Sequence, residues 1–230
     1  MLFLASCGNE SDSDKAADPP VADASEGSAD ESTEESVPET PESADAGSCA
    51  YAPDGTTPPK TVDPPSAEPA KAQKVPLVLK TSVGDLNLTL DAVKTPCTVN
   101  SFTALAEQGY FDKTQCHRLV TEGIWVLQCG DPTGSGAGGP GYAFADELSG
   151  SETYPAGTVA MANAGPGTNG SQFFLVYKDS LGLPPNYTVF GKFDAASIRI
   201  VQKVAKAGTV EGGPDGSPKK PVEIQSVTVR

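Results

Sequence analysis

The chain has 230 residues, which is enough for one domain or two small ones. Its formal net charge is −14, and most of it lies between Glu10 and Asp45, where thirteen acidic residues face one lysine. The rest of the chain is nearly neutral and has no basic patch with interleaved aromatic residues, which argues against a nucleic-acid partner. No apolar run approaches the roughly 18 residues that a membrane-spanning helix needs.

Residues 1–7 form an apolar start that ends in Leu4-Ala5-Ser6-Cys7, a pattern similar to a bacterial lipobox. A cysteine in that position is lipidated and becomes the mature N-terminus. Only six residues precede Cys7 and none is basic, whereas a secretory signal has roughly 15–30 residues and a positive start. We interpret residues 1–7 as a truncated signal and predict a bacterial lipoprotein anchored at the extracytoplasmic face of the cell membrane by a lipid on Cys7. The alternative is an apolar stub with an incidental cysteine.

Residues 8–74 consist mainly of Ser, Glu, Asp, Ala and Pro, and Tyr51 is their only aromatic residue. Such a composition buries too little apolar surface to offset chain entropy, so an acidic and then proline-rich disordered tether is predicted. The second part has six prolines between residues 53 and 69, and we expect it to be a stiffer spacer.

The folded domain is predicted over residues 75–230. Apolar and polar residues alternate on both sides of residues 82–85. This pattern indicates a β-hairpin with Leu86, Leu88 and Leu90 on its buried face.

Helices and further strands follow the hairpin. Thr95 and Pro96 are typical of a helix start with Thr95 as N-cap, and Gly109 should end that helix. A second helical pattern ends at Gly208. Further strands are predicted over residues 123–128, 172–177, 188–193 and 221–229. The last of them changes phase, which predicts either a β-bulge or a strand that crosses between two core regions. Many short strands with two helices indicate an all-β domain of the barrel type, capped at its ends.

Two stretches carry most of the functional information. Residues 161–174 read MANAGPGTNGSQFF, and residues 116–132 read CHRLVTEGIWVLQCGDP. Both resemble signature sequences of the cyclophilins, the cyclosporin-sensitive type of peptidyl-prolyl cis-trans isomerase, and they occur in that family's order. The resemblance implies a closed eight-stranded antiparallel barrel capped by two α-helices over residues 75–230. It also implies an isomerase that needs no metal and no cofactor.

The implied reaction is rotation about an X–Pro peptide bond, whose barrier of about 18–20 kcal/mol comes from amide resonance. In the twisted state the proline nitrogen regains a lone pair, so a fixed cationic donor binds that state better than either planar form. By resemblance, Arg118 is the catalytic arginine and Gln128 the glutamine that orients it. Gln128 follows Arg118 by ten residues where many members have eight, so a two-residue loop insertion is predicted near Thr121 and Glu122.

The resemblance also implies a substrate groove. Its predicted members are Trp125, Val126 and Phe174 on the floor of a proline pocket, the Ala162 and Asn163 backbone against the residue before proline, Gln172 beside the substrate, and Leu183 and Tyr187 on the far wall. Tyr187 stands where many members have histidine. Gly182 or Leu181 stands where cyclosporin-sensitive members have tryptophan, so weak cyclosporin binding is predicted.

The histidine and the cysteines are given structural interpretations. His117 is interpreted as a hydrogen-bonded core residue, because bond rotation moves no proton. Cys97, Cys116 and Cys129 lack metal-binding spacing. Export would allow a disulfide, with Cys97–Cys116 one possibility and three free buried thiols another. Cys49 is predicted to be isolated in the tether.

Together these features predict a lipid-anchored monomer that accelerates X–Pro rotation in proline-containing peptides and unfolded polypeptides, and so assists the folding of exported proteins. One alternative is a proline-binding adaptor or holdase with incidental turnover. Another is that the acidic tail is the functional part, although its uniform composition favours a plain tether.

Overall fold

The structure, a computed structural model, describes residues 47–230. The predicted signal, the lipidation at Cys7 and the first part of the predicted tether therefore lie outside the described residues. Within residues 47–230, no helix is both long enough and apolar enough to cross a membrane.

Antiparallel strands make up most of the regular secondary structure of the domain, as the alternating sequence patterns predict. The strands are β1 (Ala52–Pro53), β2 (Lys74–Thr81), β3 (Gly84–Asp91), β4 (Thr114–Gln115), β5 (Arg118–Glu122), β6 (Ile124–Cys129), β7 (Tyr142–Ala143), β8 (Thr158–Met161), β9 (Phe173–Val176), β10 (Val189–Phe193), β11 (Asp215–Gly216) and β12 (Glu223–Val229). The two helices are α1 (Pro96–Glu107) and α2 (Ala195–Ala205). The predicted hairpin is confirmed as β2–β3, and Leu86, Leu88 and Leu90 are all buried.

Ten strands form one sheet in the order β11-β5-β6-β9-β8-β10-β3-β2-β12-β4, and β1 pairs with β7. The predicted closed eight-stranded barrel is therefore wrong in strand number and in closure, because among the described residues the sheet is curled but open between β11 and β4. Each end strand has only two residues, too few for an alternating pattern to reveal it.

The bulge predicted in the last strand is confirmed, since β12 shifts register against β2 between Ile224 and Ser226.

Helix α1 begins at Pro96, as predicted, but the Thr95 side chain does not cap it. The Glu147 carboxylate instead accepts hydrogen bonds from the free N–H groups of Cys97 and Thr98, at 2.9 and 2.8 Å. A carboxylate at this end also interacts favourably with the helix dipole. The cap thus comes from a residue distant in sequence, which no local pattern could indicate.

Two apolar clusters occupy opposite faces of the sheet. In the main core, the Phe102 ring contacts those of Phe111, Phe173 and Phe190, with centroids 4.8–5.3 Å apart. Phe174 faces the other way, because successive strand residues alternate between the faces. It belongs to a smaller cluster with Val120, Val126, Tyr154, Ala160 and Val176. This smaller cluster lies beneath the candidate site.

Residues 47–74 pack against the domain, and we call this segment the strap. Cys49 is buried and bonded to Cys97 at the start of α1. The Tyr51 hydroxyl donates to the Cys97 carbonyl at 2.8 Å, and its ring packs edge-on against Tyr142. The predictions of a disordered tether up to residue 74 and a domain boundary at residue 75 are therefore wrong for this segment. The disulfide and the aromatic contacts supply the anchoring that the strap's composition lacks.

The cysteine pairing also differs from the predictions. The disulfides are Cys49–Cys97 and Cys116–Cys129, so the predicted Cys97–Cys116 pair, the three free thiols and the isolated Cys49 are all wrong. The 48-residue separation of the first pair reflects the return of the strap to α1, a tertiary contact without a local sequence signal.

Candidate active site

Arg118 and Gln128 lie directly opposite each other on β5 and β6. The hairpin between them turns at Gly123, whose φ of 74° suits glycine. Pairing continues to Glu122 opposite Ile124, so the two residues predicted as a loop insertion lengthen the hairpin instead. The ten-residue spacing therefore keeps Arg118 and Gln128 in register.

A chain of side-chain hydrogen bonds runs from Arg118 across the site. Arg118 Nη1 donates to Gln128 Oε1 at 3.3 Å, and Gln128 Nε2 donates to Gln172 Oε1 at 2.8 Å. Gln172 Nε2 donates in turn to the carbonyls of Gly136 and Gly138, at 2.9 and 3.0 Å. Because each amide is used at both ends, the network fixes which end of Gln128 faces the guanidinium.

Asp215 on β11 holds the other edge of the Arg118 guanidinium. Nε donates to Oδ1 at 2.8 Å and Nη2 to Oδ2 at 2.6 Å, a bidentate pair that fixes the guanidinium plane. These hydrogen bonds lower the pKa of Asp215 and raise the pKa of Arg118, so both groups are ionised near neutral pH. Sequence analysis missed Asp215, because it lies 97 residues after Arg118 in a glycine-rich stretch that carries no motif.

A pocket of about 140 Å³ lies beside the guanidinium and combines one cation with a largely apolar wall. It is lined by Arg118, Ile124, Val126, Gln128, Ala162, Asn163, Phe174, Leu183 and Tyr187. The rings of Phe174 and Tyr187 meet almost at right angles, with centroids 5.5 Å apart. Six of the eight predicted substrate-contacting residues meet here, and the other two, Trp125 and Gln172, do not line this pocket.

Trp125 is placed elsewhere than predicted. Successive strand residues face opposite sides of the sheet, so Trp125 faces away from its neighbours Ile124 and Val126. It packs against the main core, and Lys178 Nζ lies 3.9 Å from its ring centroid, a cation–π contact. Ile124 lines the pocket instead. Sequence analysis missed it, although counting the strand phase back from Gln128 would have identified it.

The backbone after β8 borders the pocket. Ala162 N–H donates to the Gln172 carbonyl at 2.9 Å, so that donor is already used. The Asn163 side chain donates to Asp146 Oδ1 at 3.2 Å. The backbone N–H and carbonyl of Asn163 have no hydrogen-bond partner within residues 47–230. They are free to pair with an extended peptide.

A second cavity of about 520 Å³ adjoins the pocket and shares Gln128, Ala162 and Asn163 with it. Gln172 lies here, beside the substrate path but beyond the first pocket. Part of the cavity wall comes from residues 136–140, 142 and 143. The two depressions therefore form one continuous groove with a shared middle section.

The wall of the second cavity is held by a buried carboxylate. Asp131 Oδ2 accepts from Gly136 N–H at 2.7 Å and from Gly138 N–H at 3.1 Å. A Cβ at Gly138 would lie 2.0 Å from Asp131 Oδ1, so only glycine fits there. Burial raises the pKa of Asp131, but hydrogen bonds from Thr133, Gly138 and Gly136 outweigh it and lower the pKa overall. Asp131 is therefore an ionised brace for the loop.

The Cys116–Cys129 disulfide joins the segment just before β5 to the last residue of β6, and these two strands carry Arg118 and Gln128. Cys116 lies two residues before Arg118, and Cys129 directly follows Gln128. The disulfide therefore restrains the hairpin at the point where the two polar side chains face each other.

His117 is half-buried next to Arg118. Burial lowers its pKa, so the imidazole is neutral at pH 7. Neither ring nitrogen has a hydrogen-bond partner within the described part of the chain, so the prediction of a hydrogen-bonded histidine is wrong. Across residues 47–230 no group of three or more His, Cys, Asp and Glu residues could hold a metal ion.

Comparison with known proteins supplies the family. The family described as cyclophilin type peptidyl-prolyl cis-trans isomerase/CLD matches residues 77–229. The "Probable peptidyl-prolyl cis-trans isomerase B" of Mycobacterium leprae and that of Mycobacterium tuberculosis are each 47% identical to this chain over 194 residues, a match to 78% of this chain. The chain spans only 65% and 63% of the length of these relatives.

A solved structure agrees with this match. The crystal structure of a Cryptosporidium parvum cyclophilin type peptidyl-prolyl cis-trans isomerase, in the presence of the dipeptide Ala-Pro, is similar with a TM-score of 0.60. The sequences are 30% identical, and the match covers 67% of this chain and 98% of that chain.

A curled antiparallel sheet with two helices, and a fixed cation beside a small apolar pocket, define an antiparallel β domain with a charged cleft. The chain belongs to the cyclophilin-type peptidyl-prolyl cis-trans isomerase family. Because the mycobacterial match covers 78% of the chain while the family match begins at residue 77, the similarity to those relatives extends into the strap.

Proposed function

We propose that the chain is a peptidyl-prolyl cis-trans isomerase that acts on proline-containing peptides and unfolded polypeptides. One observation carries the proposal: the Arg118 guanidinium, held in place by Asp215 and Gln128, borders an apolar pocket of about 140 Å³. A pyrrolidine ring is small and apolar, and the cation lies where a prolyl nitrogen would be within reach.

The proposed mechanism needs only binding and electrostatics. The pyrrolidine ring enters the pocket lined by Phe174 and Tyr187, and the chain before the proline pairs with the Asn163 backbone. Held at both flanks, the X–Pro bond rotates while the guanidinium of Arg118 donates to the nitrogen lone pair that appears as resonance is lost. Since planar amide nitrogen is a poor acceptor, this interaction is stronger in the twisted state than in either ground state and lowers the barrier.

The test is an isomerisation assay on a short X–Pro peptide. Uncatalysed exchange takes tens to hundreds of seconds, so acceleration by a catalytic amount of protein is easily measured. Peptide binding is measured in parallel by NMR titration. Binding without acceleration would replace the isomerase with the adaptor or holdase alternative.

Replacing Asp215 by alanine is expected to lower kcat/KM by about fivefold. The side chains of Arg118 and Asp215 are 43% and 47% exposed, so solvent weakens the pair and the effect stays modest. Without the carboxylate the guanidinium samples orientations that do not face the pocket. The loss should therefore fall mainly on kcat, measured in the same assay.

Glu122→Gln is the matched control for Asp215, because it removes a carboxylate from the exposed end of β5 and makes no contact with Arg118 in the described residues. It should retain wild-type kcat and KM. Full activity in Asp215→Ala, or an equal loss in Glu122→Gln, would show that Asp215 does not position the arginine.

The proposal extends to location and partners. The lipobox-like residues 4–7 support an exported bacterial lipoprotein whose lipid on Cys7 holds a monomeric folding helper at the extracytoplasmic membrane face. Cys7→Ser is expected to move the protein from the membrane fraction to the soluble fraction of a bacterial host. A variant that stays with membranes would exclude Cys7 as the anchor.

Weak cyclosporin binding is part of the same proposal. Leu181 is 86% exposed and Gly182 has no side chain, so neither offers an indole surface beside Leu183. A cyclosporin titration monitored through isomerase inhibition measures this directly.

A further inference from the structure

We infer that Asp54, contributed by the strap, makes the protein prefer substrates with a lysine or arginine two residues before the proline. The inference rests on the proposed function.

The layout of the groove gives the position of this side chain. The proline pocket and the second cavity share Ala162 and Asn163, and the Asn163 backbone is the group free to pair with the residue before proline. In an extended peptide, residues two apart point to the same side. A proline in the first pocket therefore directs the side chain two residues upstream into the second cavity.

The strap holds Asp54 at the edge of this cavity. Strand β1 pairs with β7, with Pro53 opposite Tyr142, and Asp54 N–H donates to the Gly141 carbonyl at 3.2 Å. Pro58 packs so closely over the same loop that a Cβ at Gly141 would lie 3.1 Å from Pro58 Cδ. The carboxylate is thus placed by backbone pairing on one side and by ring packing on the other.

The carboxylate has one oxygen left for a ligand. Asp54 Oδ1 accepts from the Thr56 N–H at 2.8 Å and from its hydroxyl at 2.7 Å, which fixes the side-chain rotamer. Asp54 Oδ2 has no hydrogen-bond partner within residues 47–230, and it lies 3.8 Å from the position that a Cβ at Gly139, on the cavity wall, would take.

Asp54 also sets the sign of the local charge. It is the only residue with a formal charge among those that line the second cavity. The nearby carboxylates of Asp131 and Asp146 add charge of the same sign, although their oxygens are engaged by neighbouring N–H groups. The cation of Arg118 faces the first pocket and is paired with Asp215. A substrate ammonium or guanidinium is therefore attracted, and a carboxylate repelled.

The experiment uses three peptides of the form X-Ala-Pro-Phe, with X as Lys, Gln or Glu. Rates are measured by NMR exchange, which needs no coupling protease, and dissociation constants are measured by NMR titration of the same samples. The full chain should favour Lys over Glu by about fivefold in kcat/KM and in affinity, which is the scale of a solvent-exposed ion pair. Raising the salt concentration to 0.5 M should shrink the difference.

Two variants test whether Asp54 is the source of the preference for lysine over glutamate. Asp54→Asn keeps the acceptor for Thr56 and should bring the three peptides within about twofold of one another. Asp63→Asn removes a strap carboxylate that does not line the cavity, and it should keep the preference. Both variants retain the acidic residues 10–45, so a general attraction of cationic peptides to that segment would survive in both.

The outcomes separate this inference from the proposed function. Normal turnover without a Lys-over-Glu difference, or a difference that Asp54→Asn retains, would overturn the inference and leave the isomerase intact. A Lys preference in affinity that depends on Asp54, without any turnover, would support the charged cavity and overturn the isomerase. A lysine placed after the proline instead of before it should give no advantage, and an equal advantage there would also overturn the assignment.

Discussion

Replacing Arg118 by alanine should lower kcat/KM for X–Pro rotation by about 100- to 1,000-fold, which is the typical cost of removing one preorganised donor from a site that stabilises developing charge. The guanidinium is the cation beside the pocket, and Asp215 and Gln128 hold it on two sides. The nitrogen of a planar X–Pro bond is a poor hydrogen-bond acceptor for the guanidinium, whereas the nitrogen of the twisted bond has a lone pair that can accept. The loss should therefore fall on kcat, with peptide affinity changed by less than about threefold.

The measurement is the NMR exchange assay with a parallel titration. Arg118→Lys should be intermediate, because a single ammonium cannot hold Asp215 bidentately while it donates to the substrate. Arg199→Ala is the control, since Arg199 is exposed on α2. Adding Asp215→Ala to Arg118→Ala should cost nothing further if Asp215 acts only through the arginine. Equal rates for wild type and Arg118→Ala would refute the isomerase mechanism.

Short-range features of this molecule could be predicted from sequence. The β2–β3 hairpin, the start of α1 and the bulge in β12 each follow from an alternating, capping or phase signal within a few residues. The Arg118–Gln128 pair follows from the resemblance, and the structure supports it through strand register. Strand phase also corrects the resemblance, because it directs Ile124 and Val126 to the pocket and Trp125 to the core.

Apart from the two-residue end strands, the features that sequence could not reveal are long-range contacts. Asp215 reaches Arg118 from 97 residues along the chain, and Glu147 caps α1 from 50 residues beyond Cys97. The composition of the strap correctly indicates that it cannot form a core of its own. Composition does not indicate whether a segment packs against an existing core. Here the Cys49–Cys97 disulfide holds the strap against the domain.

Removing the Cys49–Cys97 disulfide should lower the free energy of unfolding by roughly 4 kcal/mol, because the bond closes a 48-residue loop and restricts the unfolded chain. Removing Cys116–Cys129, which closes a loop of 13 residues, should cost roughly 3 kcal/mol on the same basis. Guanidinium unfolding of the double serine variants measures both values. A Cys49→Ser, Cys97→Ser protein with a wild-type midpoint would contradict the role of the bond.

The Cys49→Ser, Cys97→Ser variant should also show that this disulfide anchors the strap and does not contribute to catalysis. None of the groups around Arg118 touches this disulfide, so turnover of the Gln-Ala-Pro-Phe peptide should persist as long as the domain stays folded. Without the disulfide, the β1–β7 pairing that places Asp54 loses its covalent support, so the strap should detach more often and cleavage by trypsin near Lys60 and Lys71 should accelerate. The preference for lysine over glutamate should then fall together with strap protection. If protection is lost and the preference survives, a different group must supply the negative charge.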